Sequence, residues 1–268
     1  MPAKPKLGQN FLNDAGAQER IAGALGDISS HTVVEIGPGG GALTGALAAR
    51  AGRLIAVELD RELAAGLRAR FAPDKVTIVE QDVLSFDFAA AAAGERLAVV
   101  GNLPYGITSQ ILLKLAASHA ALDRAVLMVQ REVADRIVAN PRSRDYGLLS
   151  VTVQMYGPVE PLFTLPPSAF LPPPDVHSTV FRWRFAPRFA ELGVEERGFL
   201  RFVRQAFAQK RKTLANNLRA AGVAPAQVSA ALAEAQIATR ARAEELPIEG
   251  LAALWRALQR SPTAMLPQ

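Results

Sequence analysis

The chain has 268 residues, half of them hydrophobic and 21% charged, an ordinary globular balance with room for one substantial α/β domain and a smaller appendage. It has no cysteine, which excludes disulfides, thiolate nucleophiles and cysteine-ligated metals and fits a cytoplasmic protein. No apolar run reaches the roughly 18 residues of a spanning helix, and no apolar stretch follows the charged start Met1–Lys6, so neither a membrane span nor a secretory signal is expected.

In chain order, Thr32–Ile36 reads as a strand running into Gly37-Pro38-Gly39-Gly40-Gly41. A helix over Ala42–Ala51 follows, closed by Gly52. Arg53–Leu59 is the next strand and Arg61–Phe71 a helix with Asp60 at its N-cap. Lys75–Gln81 is a strand, and the alanine run Ala89–Ala93 caps a surface turn. Leu97–Gly101 and Arg124–Gln130 are buried strands with a helix at Ser109–Ala117 between them. Leu149–Met155 and Val176–Phe185 are expected as a closing pair of strands. The proline-rich stretch Pro158–Pro174 reads as an ordered, non-helical loop. From Pro187 the pattern is helical only: Glu195–Gln209, Lys212–Ala221, Pro225–Ala235 and Ile248–Arg260.

This order predicts an α/β fold with a mainly parallel sheet covered on both faces, followed by a small all-helical domain. The expected boundary separates residues 1–186 from 187–268. Between Pro187 and Arg219 lie eight bases and three acids, an excess equal to the +5 net charge of the whole chain. A concentrated basic surface suits a polyanionic partner; a solvated helix face is the plain alternative.

The glycine run lies where the first strand gives way to the first helix, so backbone can pass close to a ligand there. Gly37, Gly39 and Ala42 nearly satisfy a dinucleotide-binding spacing, but Pro38 lacks the N–H that a pyrophosphate would use. The loop by itself leaves both nucleotide classes, and a purely structural turn, open. Glu58 ends the second strand, where a carboxylate can accept from a ribose diol. Asp82 follows the third, placed to accept from an adenine amine. Acids at such positions are often helix caps, yet three sites at successive strand ends favour a ligand, because such sheets bind at the carboxyl ends of their strands.

Asn102-Leu103-Pro104-Tyr105 follows the fourth strand directly, and it suits methylation of an aryl amine. The N6 lone pair of adenine is delocalised into the ring and is a poor nucleophile. Two acceptors on the amine hydrogens, the Asn102 side chain and the Leu103 carbonyl, favour a pyramidal nitrogen and free that pair. Pro104 has no competing N–H, and Tyr105 can stack on an extruded base for about 1–3 kcal/mol, offsetting part of the few kcal/mol of flipping. No dissociable general base is needed. This agrees with three scattered histidines, His31, His119 and His177, and with the absence of any metal-ligand spacing.

Together these residues resemble the ribosomal RNA adenine dimethyltransferase family, in its small-subunit branch, over nearly the whole chain. That resemblance implies a Rossmann-like fold with a seven-stranded sheet, S-adenosylmethionine as cofactor, and dimethylation of N6 on two neighbouring adenines of small-subunit RNA. It implies cofactor contacts from Asn10 and Leu12, in Gly8-Gln9-Asn10-Phe11-Leu12, and from Glu35, Gly37, Gly39, Glu58, Asp82, Val83 and Asn102. The catalytic set is Asn102, Leu103, Pro104, Tyr105 and Phe170. Phe170 opens the family-like loop Phe170–Ser178, as a second aromatic wall or as a packed loop residue. Asp175 and His177 depart from the family's usual Lys and Asp. Val129–Ala134 and Tyr146–Ser150 match further family signatures. Phe207–Leu214 resembles the helical domain's basic motif, so Lys210, Arg211 and Lys212, with Arg204, are expected to contact RNA phosphates. A monomer acting on the immature small subunit is expected. The alternatives are a large-subunit adenine dimethyltransferase conferring drug resistance, an assembly factor whose binding role dominates catalysis, and a nicotinamide dehydrogenase. The last lacks a catalytic acid or base beside the glycine loop.

Overall fold

The computed structural model describes residues 10–260; Gly8 and Gln9 of the expected cofactor segment lie outside the described residues. In chain order the elements are β1 (Phe11–Leu12), α1 (Ala15–Ala24), β2 (Thr32–Ile36), α2 (Thr44–Ala48), β3 (Arg53–Glu58), α3 (Arg61–Arg70), β4 (Val76–Glu80), α4 (Phe88–Ala92), β5 (Leu97–Asn102) and α5 (Thr108–Ala117). They continue with β6 (Leu122–Gln130), α6 (Arg131–Val138), α7 (Leu148–Met155), β7 (Val159–Leu165), β8 (Phe170–Leu171), β9 (Ser178–Arg184), α8 (Glu196–Ala206), α9 (Leu214–Ala220), α10 (Pro225–Glu234) and α11 (Ile248–Arg260).

The chain forms two compact units. The first gathers residues up to Ala134 with Pro158–Phe185; the second gathers Asp135–Gly157 with residues from Ala186 onward. In the first unit, seven strands form one sheet in the order β4-β3-β2-β5-β6-β9-β7. The five strands from β4 to β6 run parallel, and β9 is antiparallel to both β6 and β7. Chain order reverses between β2 and β5, and in such a sheet the crevice beyond the strand carboxyl ends at that reversal is the place for a ligand. Parallel strands are covered on both faces and read as unbroken apolar runs. Val33, Val34, Leu54, Ala56, Ala98, Val99, Val100 and Val126 are correspondingly sealed in the core. Gly101 lets β2 and β5 approach closely, since a Cβ there would lie 2.8 Å from the Ile36 carbonyl oxygen.

Three sequence expectations are corrected. Leu149–Met155 is not a strand but lies in helix α7. Its apolar run is buried nearly all round, and burial on every side hides the period that separates a helix from a strand. The second outer strand is instead β7, inside the stretch expected as loop. Pro161 is tolerated there because β7 is the sheet edge and the ladder slips between Pro161 and Phe163. The alanine run forms the short helix α4, capped by the Asp87 carboxylate accepting from the Ala90 N–H and ended by Ala93 at φ 49°. Alanine's helix propensity acts as soon as a cap is supplied.

In the second unit the core is built from the apolar faces of α8 to α11, through Phe199, Phe202, Leu214, Leu218, Val228, Leu232, Leu251 and Leu254. Residues 135–157 join these helices rather than the sheet for a local reason. The Ser150 hydroxyl donates to the Arg136 carbonyl and the Gln154 amide to the carbonyls of Ile137 and Ala139, which hold the segment together, and the Tyr156 hydroxyl donates to Glu196 of α8, which ties it to the later helices. The Ala186 and Arg188 N–H groups also close onto the Tyr156 and Met155 carbonyls.

Candidate active site

The glycine loop leaves β2 with Gly37, Gly39 and Gly41 at φ 61°, 56° and 79°, a left-handed path that side chains with a Cβ rarely follow. At Gly39 the space is also taken, because a Cβ would sit 2.8 Å from the Phe11 ring. Phe11 therefore packs against bare backbone, and the N-terminal strand β1 is seated on the loop.

Glu58 anchors the loop from β3. Its Oε2 accepts from the Gly39 N–H and its Oε1 from the Asp60 N–H, both at 2.9 Å, and the residue is 2% exposed. Both oxygens expected for a ribose diol thus also hold backbone, although a carboxylate has lone pairs for further donors. Glu35 lies deeper, 1% exposed, and accepts from the Thr44 hydroxyl at 2.7 Å. Desolvation pushes its carboxyl up to about 8, a rise that the Thr44 hydrogen bond opposes and the Glu58 charge adds to. Glu35 therefore acts on the loop from beneath rather than presenting a surface.

Asp60 caps α3 through the Glu62 and Leu63 N–H groups, as its position suggests. Asp82 is half-buried after β4, where its Oδ1 accepts from the Leu84 N–H and caps the turn Val83–Ser85; Val83 is 8% exposed. The sequence offers capping and adenine recognition as alternatives for Asp82, and the first of these contacts is present. Exposed Leu59, directly after Glu58, is an apolar surface that sequence reading missed. An isolated exposed leucine carries no periodicity to mark it.

On the other side of the reversal, Gly101 is paired with Ile36, so Asn102, the last residue of β5, lies beside the start of the glycine loop. The half-buried Asn102 side chain donates from Nδ2 to the Asn10 carbonyl at 3.0 Å. Its Oδ1 takes no hydrogen bond from a described residue, so the amide is held with its acceptor end uncommitted. The Leu103 N–H is tied to the Met128 carbonyl, while the Pro104 carbonyl accepts from the Thr108 hydroxyl and the Ile107 N–H. Of the two carbonyls flanking the proline ring, Pro104's is consumed by the start of α5, which leaves Leu103's for a ligand. Tyr105 is half-buried, with its hydroxyl 3.0 Å from the Ser178 hydroxyl.

Strand β1 also reaches the loop before β9. Phe11 pairs with Leu171 and Leu12 with Phe170, and the Asn13 N–H donates to the Ala169 carbonyl. Phe170 is 3% exposed and sits in the core cluster with Leu12 and Ala169, which is the packed-loop alternative of the sequence reading. Direct contacts thus join Asn102 to Asn10 and Gly39 to Glu58, with Phe11 packed on Gly39 between the two pairs, while Leu12 pairs with Phe170, Gly37 is bonded to the Val57 carbonyl and Glu35 to the Thr44 hydroxyl. Val83 and Asp82 lie beyond β3 at the end of β4. The role of Asn10 as anchor of the Asn102 amide had no sequence signal, because it uses the backbone carbonyl.

In the helical unit, Arg204, Lys210, Arg211 and Lys212 are all exposed, Arg204 on α8 and the others in the turn before α9. Lys210 donates to the Arg144 carbonyl, whereas Arg211 and Lys212 form no ion pair among the described residues. Arg188, counted in the basic excess, is instead neutralised by Glu191 and Glu249. No group of His, Asp or Glu that could hold a metal occurs among the described residues, and no described helix is long and apolar enough to cross a membrane.

The family model described as ribosomal RNA adenine dimethylase matches residues 2–260. The chain is 60% identical over 258 residues to a ribosomal RNA small subunit methyltransferase A of Acidobacterium capsulatum, covering 96% of this chain and 91% of that protein. It is 50% identical to the protein of the same name from Koribacter versatilis, over 96% and 95% of the two chains. Among solved structures, the 23S rRNA methyltransferase ErmE superposes with a TM-score of 0.70 at 27% identity, over 94% of this chain and all of that one. A dimethyladenosine transferase from Plasmodium falciparum gives a TM-score of 0.75 at 22% identity, over 91% and 95%, which bears on the fold. The fold is thus the Rossmann-like methyltransferase arrangement, and with a family match along nearly its whole length the chain belongs to the ribosomal RNA adenine dimethylases.

Proposed function

We propose that this protein is an S-adenosylmethionine-dependent methyltransferase that dimethylates N6 of two neighbouring adenines in small-subunit ribosomal RNA. The observation that carries it is the held amide of Asn102, its donor end fixed on the Asn10 carbonyl and its acceptor end uncommitted beside the glycine loop. S-adenosylmethionine supplies an electrophilic methyl group when bound. The residues present fit such a cofactor: Glu58 and Asp82 are carboxylates, a pair that suits hydroxyls and a cationic ligand and repels a pyrophosphate, while buried Glu35 braces the start of α2 through Thr44. Gly37, Gly39, Asn10, Leu12 and Val83 complete its cradle.

Asn102 Oδ1 and the Leu103 carbonyl accept the two amine hydrogens of an extruded adenine, so the nitrogen presents its lone pair. Pro104 shapes the turn that aims both acceptors, and Tyr105 stacks on the base. Phe170 supports this arrangement from below, by packing under β1. Catalysis here is positioning and fixed dipoles; the proton released on methylation goes to water, since among the described residues no side chain at the site is placed as a base. The protein acts as a cytoplasmic monomer on the immature small subunit.

Incubating the protein with methyl-labelled cofactor and undermethylated small subunits should label adenines of the small-subunit RNA as the dimethyl form. Label confined to large-subunit RNA would reverse the branch. Arg204, Lys210, Arg211 and Lys212 contact RNA phosphates in this reading. Replacing Lys210, Arg211 and Lys212 with Ala should weaken RNA binding and flatten the log–log salt dependence by roughly 0.7–0.9 for each phosphate no longer neutralised. A slope equal to that of the wild type would assign these charges to solvent.

A further inference from the structure

Resting on the reading of Tyr105 as a stacking platform, we infer that Ser178 is a positioning residue that sets the plane of the Tyr105 ring. Tyr105 follows the turn at Pro104, whose carbonyl is pinned by Thr108 and Ile107, so the backbone end of the side chain is fixed. Its far end meets the Ser178 hydroxyl at 3.0 Å. Ser178 is completely buried and opens β9, where it pairs with Gln130 of β6 on one side and Leu165 of β7 on the other. A hydroxyl held between two strands is a rigid mount, whereas an aromatic ring anchored only at Cα turns about two torsions.

The contact also determines which chemistry is open to Tyr105. Its hydroxyl is engaged by Ser178 and so is directed at the protein rather than at the base. Tyr105 then serves through its ring face alone, which tolerates any purine orientation that Asn102 allows. The buried polar contact explains why a serine occupies a position in the sheet where its neighbours Thr179, Val180 and Phe181 are β-branched or aromatic.

The test is a double-substitution cycle, measured as single-turnover methylation of undermethylated small subunits. Tyr105→Ala should slow the reaction roughly ten- to hundredfold. Ser178→Ala and Tyr105→Phe should each slow it roughly three- to tenfold, and the double variant Tyr105→Phe/Ser178→Ala should be no slower than either single one. The pH profile of Tyr105→Phe should keep the wild-type shape. Wild-type rates for Ser178→Ala, or strictly multiplicative losses in the double variant, would overturn the inference while leaving stacking intact. A missing limb in the Tyr105→Phe pH profile would also overturn it, by making the hydroxyl pair a proton relay. Wild-type rates for Tyr105→Ala would instead remove the stacking reading itself.

Discussion

Asn102→Ala should lower the rate of methyl transfer by on the order of 10²–10³, the cost of deleting one preorganised polar group that faces the reacting atoms. Cofactor affinity should change far less, because Gly37, Gly39 and Glu58 hold the loop without help from Asn102. The substitution removes two things together: the proposed acceptor for the adenine amine and the link from Nδ2 to the Asn10 carbonyl. Asn102→Asp separates them. It keeps an acceptor of the same shape but turns a carboxylate oxygen toward the Asn10 carbonyl, so the side chain should swing and recover only part of the rate. Single-turnover kinetics with calorimetric titration of the cofactor would measure both effects. An Ala variant within tenfold of the wild-type rate would remove the proposed mechanism.

Glu35→Gln should change how stability depends on pH. The folded protein holds this carboxyl up to about 8 against an unfolded value near 4.5, chiefly through desolvation. Below the unfolded value both states carry the proton and stability is at its full level. Between about 4.5 and 8 the unfolded chain releases a proton that the folded one keeps, so stability falls as pH rises through that window and levels off above it. At 1.36 kcal/mol per unit, the full difference is of order 4–5 kcal/mol. Glutamine stands in for the protonated acid and cannot ionise. Urea unfolding of both proteins at pH 5.5, 7 and 8.5 should therefore show the wild type losing stability relative to the variant at each step. Parallel curves would mean that Glu35 is solvated or otherwise paired.

The parallel half of the sheet was legible because its strands are short apolar runs, most of them closed by a glycine, an acid or a polar turn. Thr32–Ile36 has the same limits in sequence and structure, and Arg53–Glu58 and Leu97–Asn102 differ from expectation by one residue each. The antiparallel edge was not legible. Leu149–Met155, expected as a strand, is helical, and Val159–Leu165, expected as loop, is a strand, since the first is buried nearly all round and the second carries Pro161, which only an edge position accommodates. The expected boundary after residue 186 is a single cut, whereas residues 135–157 group with those from Ala186 onward. That grouping depends on the bond from the Tyr156 hydroxyl to Glu196 and on the Ala186 and Arg188 N–H groups closing onto Tyr156 and Met155, which no pattern of hydrophobicity encodes.

By itself the sequence determined the class of chemistry. The glycine run, the acids at the next two strand ends and the Asn-Leu-Pro-Tyr turn are local signals, because backbone freedom, charge and a missing N–H are properties of single residues in a short span. Tertiary structure alone decided how these parts are held. Asn10 and Asn102, 92 positions apart, and Tyr105 and Ser178, 73 apart, meet only because β1 is paired with β8 and β9 closes onto β6. Contacts between residues so distant in sequence depend on strand pairing across the whole sheet, and a backbone carbonyl or a buried hydroxyl leaves no mark in composition or spacing.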